Sequence, residues 1–474
     1  MTVKQKLYLT SLRSANHHLV SQIQEMKQDD PLRDITILLP STAALTYFRT
    51  KINNLAALYI LQFYSLADAI LDEAALPVTL VKDTTIRQII SKILSEMNQQ
   101  GKLTSFAPIH EKQGFVTVLL QWLREMKSQG IHPDDYQAFS ANNPSTRDTQ
   151  LAEFYQRYQD YLHKHEYADP DGRLWLAAEA LEKDASLFTH KGPLFILGHD
   201  QFTPIQLNIL KSLVDRFDEM TIYLHWSDQK NDDDLALTRL RETRDALLKN
   251  LPLQTISLPD PSQRKATLSH LADHIFELSP NKILPEYGLQ LIEAPSREVE
   301  VSVALRTSKS MLLEGVAPET IGILAPNPNT YLPILRTIGE EYGIPLACDL
   351  SLGAEPMVQD LTNLLQLAPD FTWGSTFQAL RSPYVQQPWL TPEQIDQLDK
   401  LSREQPILEG REQWVAALQP IQEVFPDLED EDLGQPPYIS KLSEEEIQNL
   451  RNGIKAFFDA LTPPEQATAQ EFTR

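Results

Sequence analysis

Cysteine is almost absent from this chain of 474 residues, and Cys348 is the only one. A single thiol cannot form a disulfide within the chain. It also excludes cysteine-rich zinc sites and iron–sulfur clusters, which need several thiolates. Long apolar runs are missing too. No uninterrupted stretch approaches the roughly 18–20 residues of a membrane span. The opening MTVKQKLYLTSLRSANHHLV has neither a signal-peptide core nor a small-residue cleavage site. These absences point to a cytoplasmic protein without a membrane partner. Positive charge is scarce: 42 Lys and Arg face 65 Asp and Glu, for a formal charge of −23. A field of that sign repels nucleic acid, so DNA contact requires a local basic groove. What the chain does have is a hydrophobic fraction of 42%, ample for packed cores, and a length that suits roughly two to four domains.

The patterning reads first as α/β. LYL (7–9) and ITILL (35–39) are short apolar strand candidates separated by a polar helical stretch. Pro40-Ser41-Thr42 and the run AALTYFRTKI follow, so strand, short turn and helix succeed one another as in a parallel sheet. LYILQFYSLADAIL (58–71) adds a strand and a helix start that Ser65 is placed to cap. From about residue 82 the spacing turns helical: Ile86, Ile89, Ile90, Ile93, Leu94 and Met97, then Phe115, Val118, Leu119, Trp122, Leu123 and Met126, then LAEFYQRYQDYLHKH (151–165). LFILG (194–198), a helix led by Thr203-Pro204, and TIYLHW (221–226) resume the sheet pattern. Residues 227–285 read as polar and helical, with the acidic run Asp232-Asp233-Asp234. A second α/β block opens with the strand candidate LQLIEAPS (289–296), a helix from Arg297 to Leu313, the strand candidate IGILAP (321–326), and a helix ended by Gly343-Ile344-Pro345. After residue 388 the chain is helical and acidic, with Asp427, Glu429, Asp430, Glu431 and Asp432 close together.

The expected architecture is therefore α/β, with two RecA-like parallel-sheet lobes of superfamily-1 helicase type, each carrying a mainly helical insertion. The first lobe is discontinuous, over 1–80 and 190–285, around a helical insertion at 81–189. The second lobe starts over 286–387, and 388–474 is expected to be a helical, acidic insertion that is truncated. An architecture of this kind does not by itself establish a function.

Several stretches carry a more specific resemblance. They are ITILLPSTAALTYFRTKI with LQFYSLADAIL, LREMKSQGIHPDDYQAF (123–139), LFILGHDQFTPIQLNILKSL (194–213), the segment from LIEAPSREVEV to EEYGIPL (291–346), and LRSPYV (380–385). In order and spacing they resemble the N-terminal helicase-like region of the AddB-type (RexB/RecC-like) family of helicase–nuclease proteins. The resemblance implies a chain that pairs with an AddA-like motor helicase and processes broken DNA ends for recombination and repair. It also implies an exonuclease domain of the PD-(D/E)xK type toward the C-terminus of the parent protein.

Two departures bear on activity. A working motor places G-x-x-x-x-G-K-S/T after its first strand, because glycines let backbone N–H groups cradle phosphates while the lysine meets the β/γ-phosphates. Here TSLRSANHHLV (10–20) has neither glycine nor lysine, only Arg13. Arg13, Ser14 and Asp200 are left as a degenerate nucleotide site. Asp200 follows strand 194–198, where a motor binds magnesium, although a turn residue capping the next helix would look the same. The second departure concerns the nuclease. Glu125-Met126-Lys127 has the Glu-x-Lys spelling but lies on an amphipathic helical pattern with no strand-borne Asp before it. The catalytic set is thus expected to be empty, with no cofactor in this chain. The resemblance implies that ATP and magnesium are expected at the partner motor or at the absent nuclease domain.

Candidate DNA contacts are Ser41 and Thr42 at a strand-to-helix turn, where hydroxyls and free N–H groups suit a phosphate. Phe63, Tyr64, Tyr331 and Tyr384 could stack bases, although aromatics at such positions are more often core or rim. Arg297 opens the second lobe's first helix and could meet a phosphate or a partner, while Glu298 suits the helix dipole. His163 and His165 lack the spacing of metal ligands on a helix. Three functions remain open: a non-catalytic helicase-like scaffold that holds or scans DNA, an acidic protein-interaction module that docks a motor helicase without touching DNA, and a weakly active nucleotide hydrolase.

Overall fold

The computed structural model describes residues 4–142, 145–189, 191–226, 237–259, 266–275, 282–284, 288–348, 352–368, 370–404, 407, 409–418 and 442–462. They fall into two compact units, 1–290 and 291–474. Both acidic runs noted in the sequence, at 232–234 and 427–432, lie outside the described residues.

The first unit begins with β1 (Gln5–Thr10), α1 (Leu12–Asp29), β2 (Ile35–Leu38), α2 (Thr42–Lys51), β3 (Leu58–Leu61) and α3 (Phe63–Glu73). It continues with β4 (Thr79–Leu80), α4 (Asp83–Gln99), α5 (Gln113–Ser128), α6 (Pro133–Asn142), α7 (Thr146–Lys164), β5 (Tyr167–Ala168) and α8 (Pro170–Lys183). It closes with β6 (Leu194–Leu197), α9 (Pro204–Leu213), β7 (Met220–His225), α10 (Thr238–Asn250), β8 (Gln254–Ser257) and α11 (Ala266–His274). Six strands form one sheet in the order β3-β2-β6-β7-β1-β8, every pairing parallel. Strands buried on both faces need unbroken apolar runs, and ITIL in β2 and LFIL in β6 supply them.

Alternate side chains feed two cores. Tyr8, Ile35, Ile37, Phe195, Leu197 and Tyr223 pack with Ala15, Leu19 and Ile23 of α1 and Phe48 of α2 on one face. Leu7, Leu38, Leu194, Ile196 and Ile222 pack on the other face with α3, α8 and α9 and with the helices that lie between β3 and β6. That helical stretch shares its core with the sheet. A two-residue parallel ladder, β4 with β5, ties its two ends together.

The core of this unit holds a fully buried ion pair. Lys127 Nζ on α5 lies 2.6 Å from Asp169 Oδ2, and both side chains are buried. Tyr158 donates its hydroxyl to the same carboxylate at 2.8 Å, and the Gly172 N–H donates at 2.6 Å, so Asp169 also caps α8. Burial alone would raise the Asp169 carboxyl, but the Lys127 charge and these hydrogen bonds outweigh it and hold it below the carboxylate range. The Glu-x-Lys spelling at 125–127 is therefore helical, and its lysine is part of a structural clamp.

Two local expectations give way in this unit and its neighbour. Ser65 sits inside the first turn of α3, whose cap position is Gln62, because β3 ends at Leu61 and the helix begins only two residues later. The larger difference is in the second unit. Its described elements, short 3-10 turns apart, are all helices: α12 (Arg297–Leu313), α13 (Pro328–Tyr342), α14 (Pro356–Leu367), α15 (Trp373–Arg381), α16 (Pro392–Glu404), α17 (Arg411–Ala417) and α18 (Glu444–Leu461). The strand candidates at 289–296 and 321–326 carry no ladder among the described residues. An apolar run becomes a strand only where a neighbour satisfies its backbone groups, and none of the described residues does so there. Leu291 is 100% exposed and Leu324 98%. The main core of this unit instead gathers Phe371, Phe377, Trp414, Phe457 and Phe458. Among the described residues, no helix is long and apolar enough to cross a membrane.

Candidate functional site

A sheet whose strands all run one way collects its carboxyl ends on one edge, and ligands of such sheets bind outside that edge where successive crossovers diverge. Here β1 and β2 lead into α1 and α2, which pack on one face. β6 and β7 lead into α9 and α10, which pack on the other. Because β1 lies beside β7 and β2 beside β6, the divergence opens next to Thr10, Gly198 and His225. A cavity of about 280 Å³ occupies that place, with Thr10, Leu12, His199, Asp200, Tyr223 and His225 on its walls.

Its polar groups are unusual. Thr10 is 2% exposed, and its Oγ1 has no hydrogen-bond partner among the described residues. His199 Nε2 is likewise buried without one. Burial pushes the His199 imidazole down to about 4, so it is neutral at physiological pH. Its ring packs against Phe202 at 5.4 Å and against Phe63 at 5.3 Å. The turn that presents His199 depends on Gly198, which has φ +82 and whose missing Cβ would stand 3.3 Å from Pro40. That contact sets the loop after β6 against the Pro40-Ser41 turn after β2.

The residues present do not fit a nucleotide polyphosphate. A phosphate cradle requires a glycine-rich loop between strand and helix, whereas Ser11 alone separates β1 from α1. Ser11 is already committed as a cap, accepting the Ser14 N–H at 3.2 Å. Among the described residues no lysine or arginine lines the cavity, and Asp200 does. Nor is any group of three or more His, Cys, Asp or Glu among them placed to hold a metal ion.

Of the three residues assigned to a degenerate nucleotide site, Asp200 alone lines the cavity. Ser14 is held by Ser11, and Arg13 lines a separate groove between α1 and α2. Ser41 caps α2, accepting the Ala44 N–H at 3.3 Å, and Thr42 opens the helix; both are exposed on the same edge. Phe63 is also at this edge, but it is only 4% exposed and its ring faces His199 and Phe202. Neighbouring Tyr64 is the open ring, with the Arg173 guanidinium 4.7 Å from its centroid and its hydroxyl donating to Asp171 at 3.3 Å. Arg297 and Tyr331 belong to the second unit. Arg297 is the first residue of α12, and the Tyr331 hydroxyl donates to Glu300 at 2.9 Å. Tyr384 is exposed, and so is Cys348. His165 ends α7 between Tyr161 and Tyr167, a packing role.

Sequence reasoning gave Thr10, His199 and Phe202 no role: Thr10 ends an apolar strand run, and His199 and Phe202 fall inside the resembling stretch LFILGHDQFTPIQLNILKSL (194–213) with no function attached to them.

The chain matches the family described as "ADDB, N-terminal" over residues 14–267, a span that begins after β1 and takes in the other five strands of the sheet. It is 25% identical over 363 residues to the B subunit of an ATP-dependent helicase/deoxyribonuclease of Listeria innocua, covering 72% of this chain and 31% of that protein. The protein of the same description from a Thermoanaerobacter species is 24% identical over 422 residues, 83% of this chain and 35% of the relative. The one from Carboxydothermus hydrogenoformans is 27% identical over 269 residues, 56% and 24% respectively. The chain thus spans about a quarter to a third of the length of these curated relatives. With the family match covering more than half of its residues, the chain belongs to the ADDB N-terminal family.

Proposed function

We propose that this chain is a non-catalytic, helicase-like scaffold that holds DNA within a helicase–nuclease complex serving double-strand break repair and recombination. The observation that carries the reading is the single-residue turn at Ser11. The sheet keeps its divergence cleft and the open α2 N-terminus at Ser41 and Thr42, but lacks a loop able to wrap a phosphate chain. The relatives' description as the B subunit of an ATP-dependent helicase/deoxyribonuclease supports a DNA substrate and a partner chain. On this reading the partner is an AddA-like motor that supplies ATP hydrolysis. On this reading residues 286–387 would be the start of a second RecA-like lobe, although its strand candidates at 289–296 and 321–326 carry no ladder among the described residues.

The test has two arms. Calorimetric titration of ATP with Mg²⁺ is expected to give no saturable heat, and fluorescein-labelled oligonucleotides are expected to bind at low salt and dissociate steeply as salt rises. Saturable ATP binding that Thr10→Ala or Asp200→Ala abolishes would restore the hydrolase reading. A second reading, a protein-docking module, has its own support: Met357, Leu361 and Leu365 leave an apolar stripe exposed on α14. Pull-down of a motor helicase without any oligonucleotide binding would favour that reading instead.

A further inference from the structure

α1 and α2 both start at the carboxyl edge and pack on the same face of the sheet, and between them runs a groove of about 700 Å³. Its floor is apolar: Leu12, Val20 and Tyr47 line it, and the Tyr47 ring is 42% exposed. The charged side chains that line it are both cationic: Arg13 on α1, with His17 one helical turn further on, and Lys51 on α2, its ammonium 5.8 Å from the Tyr47 centroid. Among the described residues no carboxylate lines the groove. Arg13 and Lys51 form no ion pair among the described residues, whereas Lys6, Lys127 and Arg173 of the same unit each hold a carboxylate. The sequence agrees, since LRSANHHLVSQIQ, the first thirteen residues of α1, contains no acid before Glu25.

Unpaired cations along an apolar, aromatic floor are the arrangement that tracks a single nucleic-acid strand, with phosphates on the rim and base faces on the ring. We propose that the α1/α2 groove seats a single strand of nucleic acid that passes over the carboxyl edge at Ser41 and Thr42. The inference rests on the DNA-holding reading above and adds a surface that none of the edge residues supplies. Arg13, singled out by the sequence as a relic of a phosphate loop, becomes a backbone contact on the outside of α1.

The experiment uses the 474-residue chain, a fluorescein-labelled oligothymidylate, the matching duplex, and a glutamate-rich peptide of similar length. Arg13→Glu with Lys51→Glu is expected to weaken single-strand binding at least tenfold and to lower the slope of log K against log salt by about 1.4, some 0.7 for each lost phosphate contact. These side chains are exposed, so the far-ultraviolet spectrum and melting of the variant should match the parent. A strand carrying 5-iodouracil is expected to crosslink at Tyr47, and Tyr47→Ala to remove the adduct. If the groove variant binds as the parent does while Ser41→Ala/Thr42→Ala loses affinity, the groove proposal fails and the DNA-holding reading stands. If the parent binds no strand at low salt, both fail. If the glutamate-rich peptide binds through Arg13 and Lys51 and the oligothymidylate does not, the groove serves a protein partner and the proposal is overturned.

Discussion

ITILL at 35–39 and IGILA at 321–325 are nearly the same word, and the two units read it differently. In the first unit the word is β2, hydrogen-bonded to β3 on one side and β6 on the other, with Ile35, Ile37 and Leu38 at 0% exposure. In the second it is unladdered chain with Leu324 in open solvent. Side-chain chemistry is shared, so it cannot be what separates them. The difference is the neighbour: burial of an apolar strand is worth having only when its N–H and C=O groups are satisfied at the same time.

The largest effect expected within that contrast belongs to the clamp of the first unit. Lys127→Ala leaves Asp169 buried and unpaired, and should cost about 3–5 kcal/mol. Chemical denaturation followed by hydrogen exchange should place the whole loss in peptides from residues 1–290, and an equal loss in the second unit would break the division. Ile37→Ala should cost about 2–5 kcal/mol, the usual range for a large-to-small change in a closed core. A value below about 1 kcal/mol would mean that the doubly covered sheet is looser than its burial implies.

Next comes pH. His199 is held neutral, with its folded value near 4 against 6.5 unfolded. Between those values the unfolded state binds the extra proton. The contribution is therefore complete above about pH 6.5 and is lost as pH falls toward 4, on the order of 3 kcal/mol in all. Asp169, depressed below the usual carboxylate value of 3.8, follows the same sign in a lower window, losing its contribution as pH falls below about 4. His199→Phe should flatten the upper window and leave the lower one. If stability still falls between pH 6.5 and 4 in that variant, the buried imidazole is not the cause.

Ser41→Ala removes one cap hydrogen bond and should cost about 1 kcal/mol, measured by thermal melting. The smallest effect is expected at the matching word. Leu324→Ser should change stability by less than about 0.5 kcal/mol, because the side chain touches water on all sides. A penalty approaching that of Ile37→Ala would mean that the segment is paired in solution, and would support a second sheet.

Much of the first unit could be read directly. ITIL and LFIL announced doubly buried strands, and Thr203-Pro204 announced a helix start that the structure completes as a capping box with Gln206. Gly343 ends α13 in the left-handed conformation, as its place after Tyr342 suggested. The cap of α3 could not be read, because Gln62 and Ser65 are both plausible and only the length of β3 decides. The walls of the cavity were harder still. Thr10, His199 and Tyr223 lie on or just beyond three strands far apart in the chain, and nothing local marks that their ends converge. Arg13 shows the same limit: spacing put it at the helix start, but only the helix rotation put it outside.

Composition by itself determined that no disulfide or cysteine-rich metal site holds this chain together, and the spelling of residues 10–20 by itself removed the phosphate loop, because glycine and lysine have no substitutes in that role. What only the tertiary structure decided was where polar groups end without partners and where cations gather without carboxylates. Strand order and helix rotation leave Thr10 Oγ1 and His199 Nε2 without partners among the described residues and line the α1/α2 groove with Arg13 and Lys51. Satisfaction and charge are properties of neighbours in space, and two apolar runs as alike as ITILL and IGILA part company for the same reason.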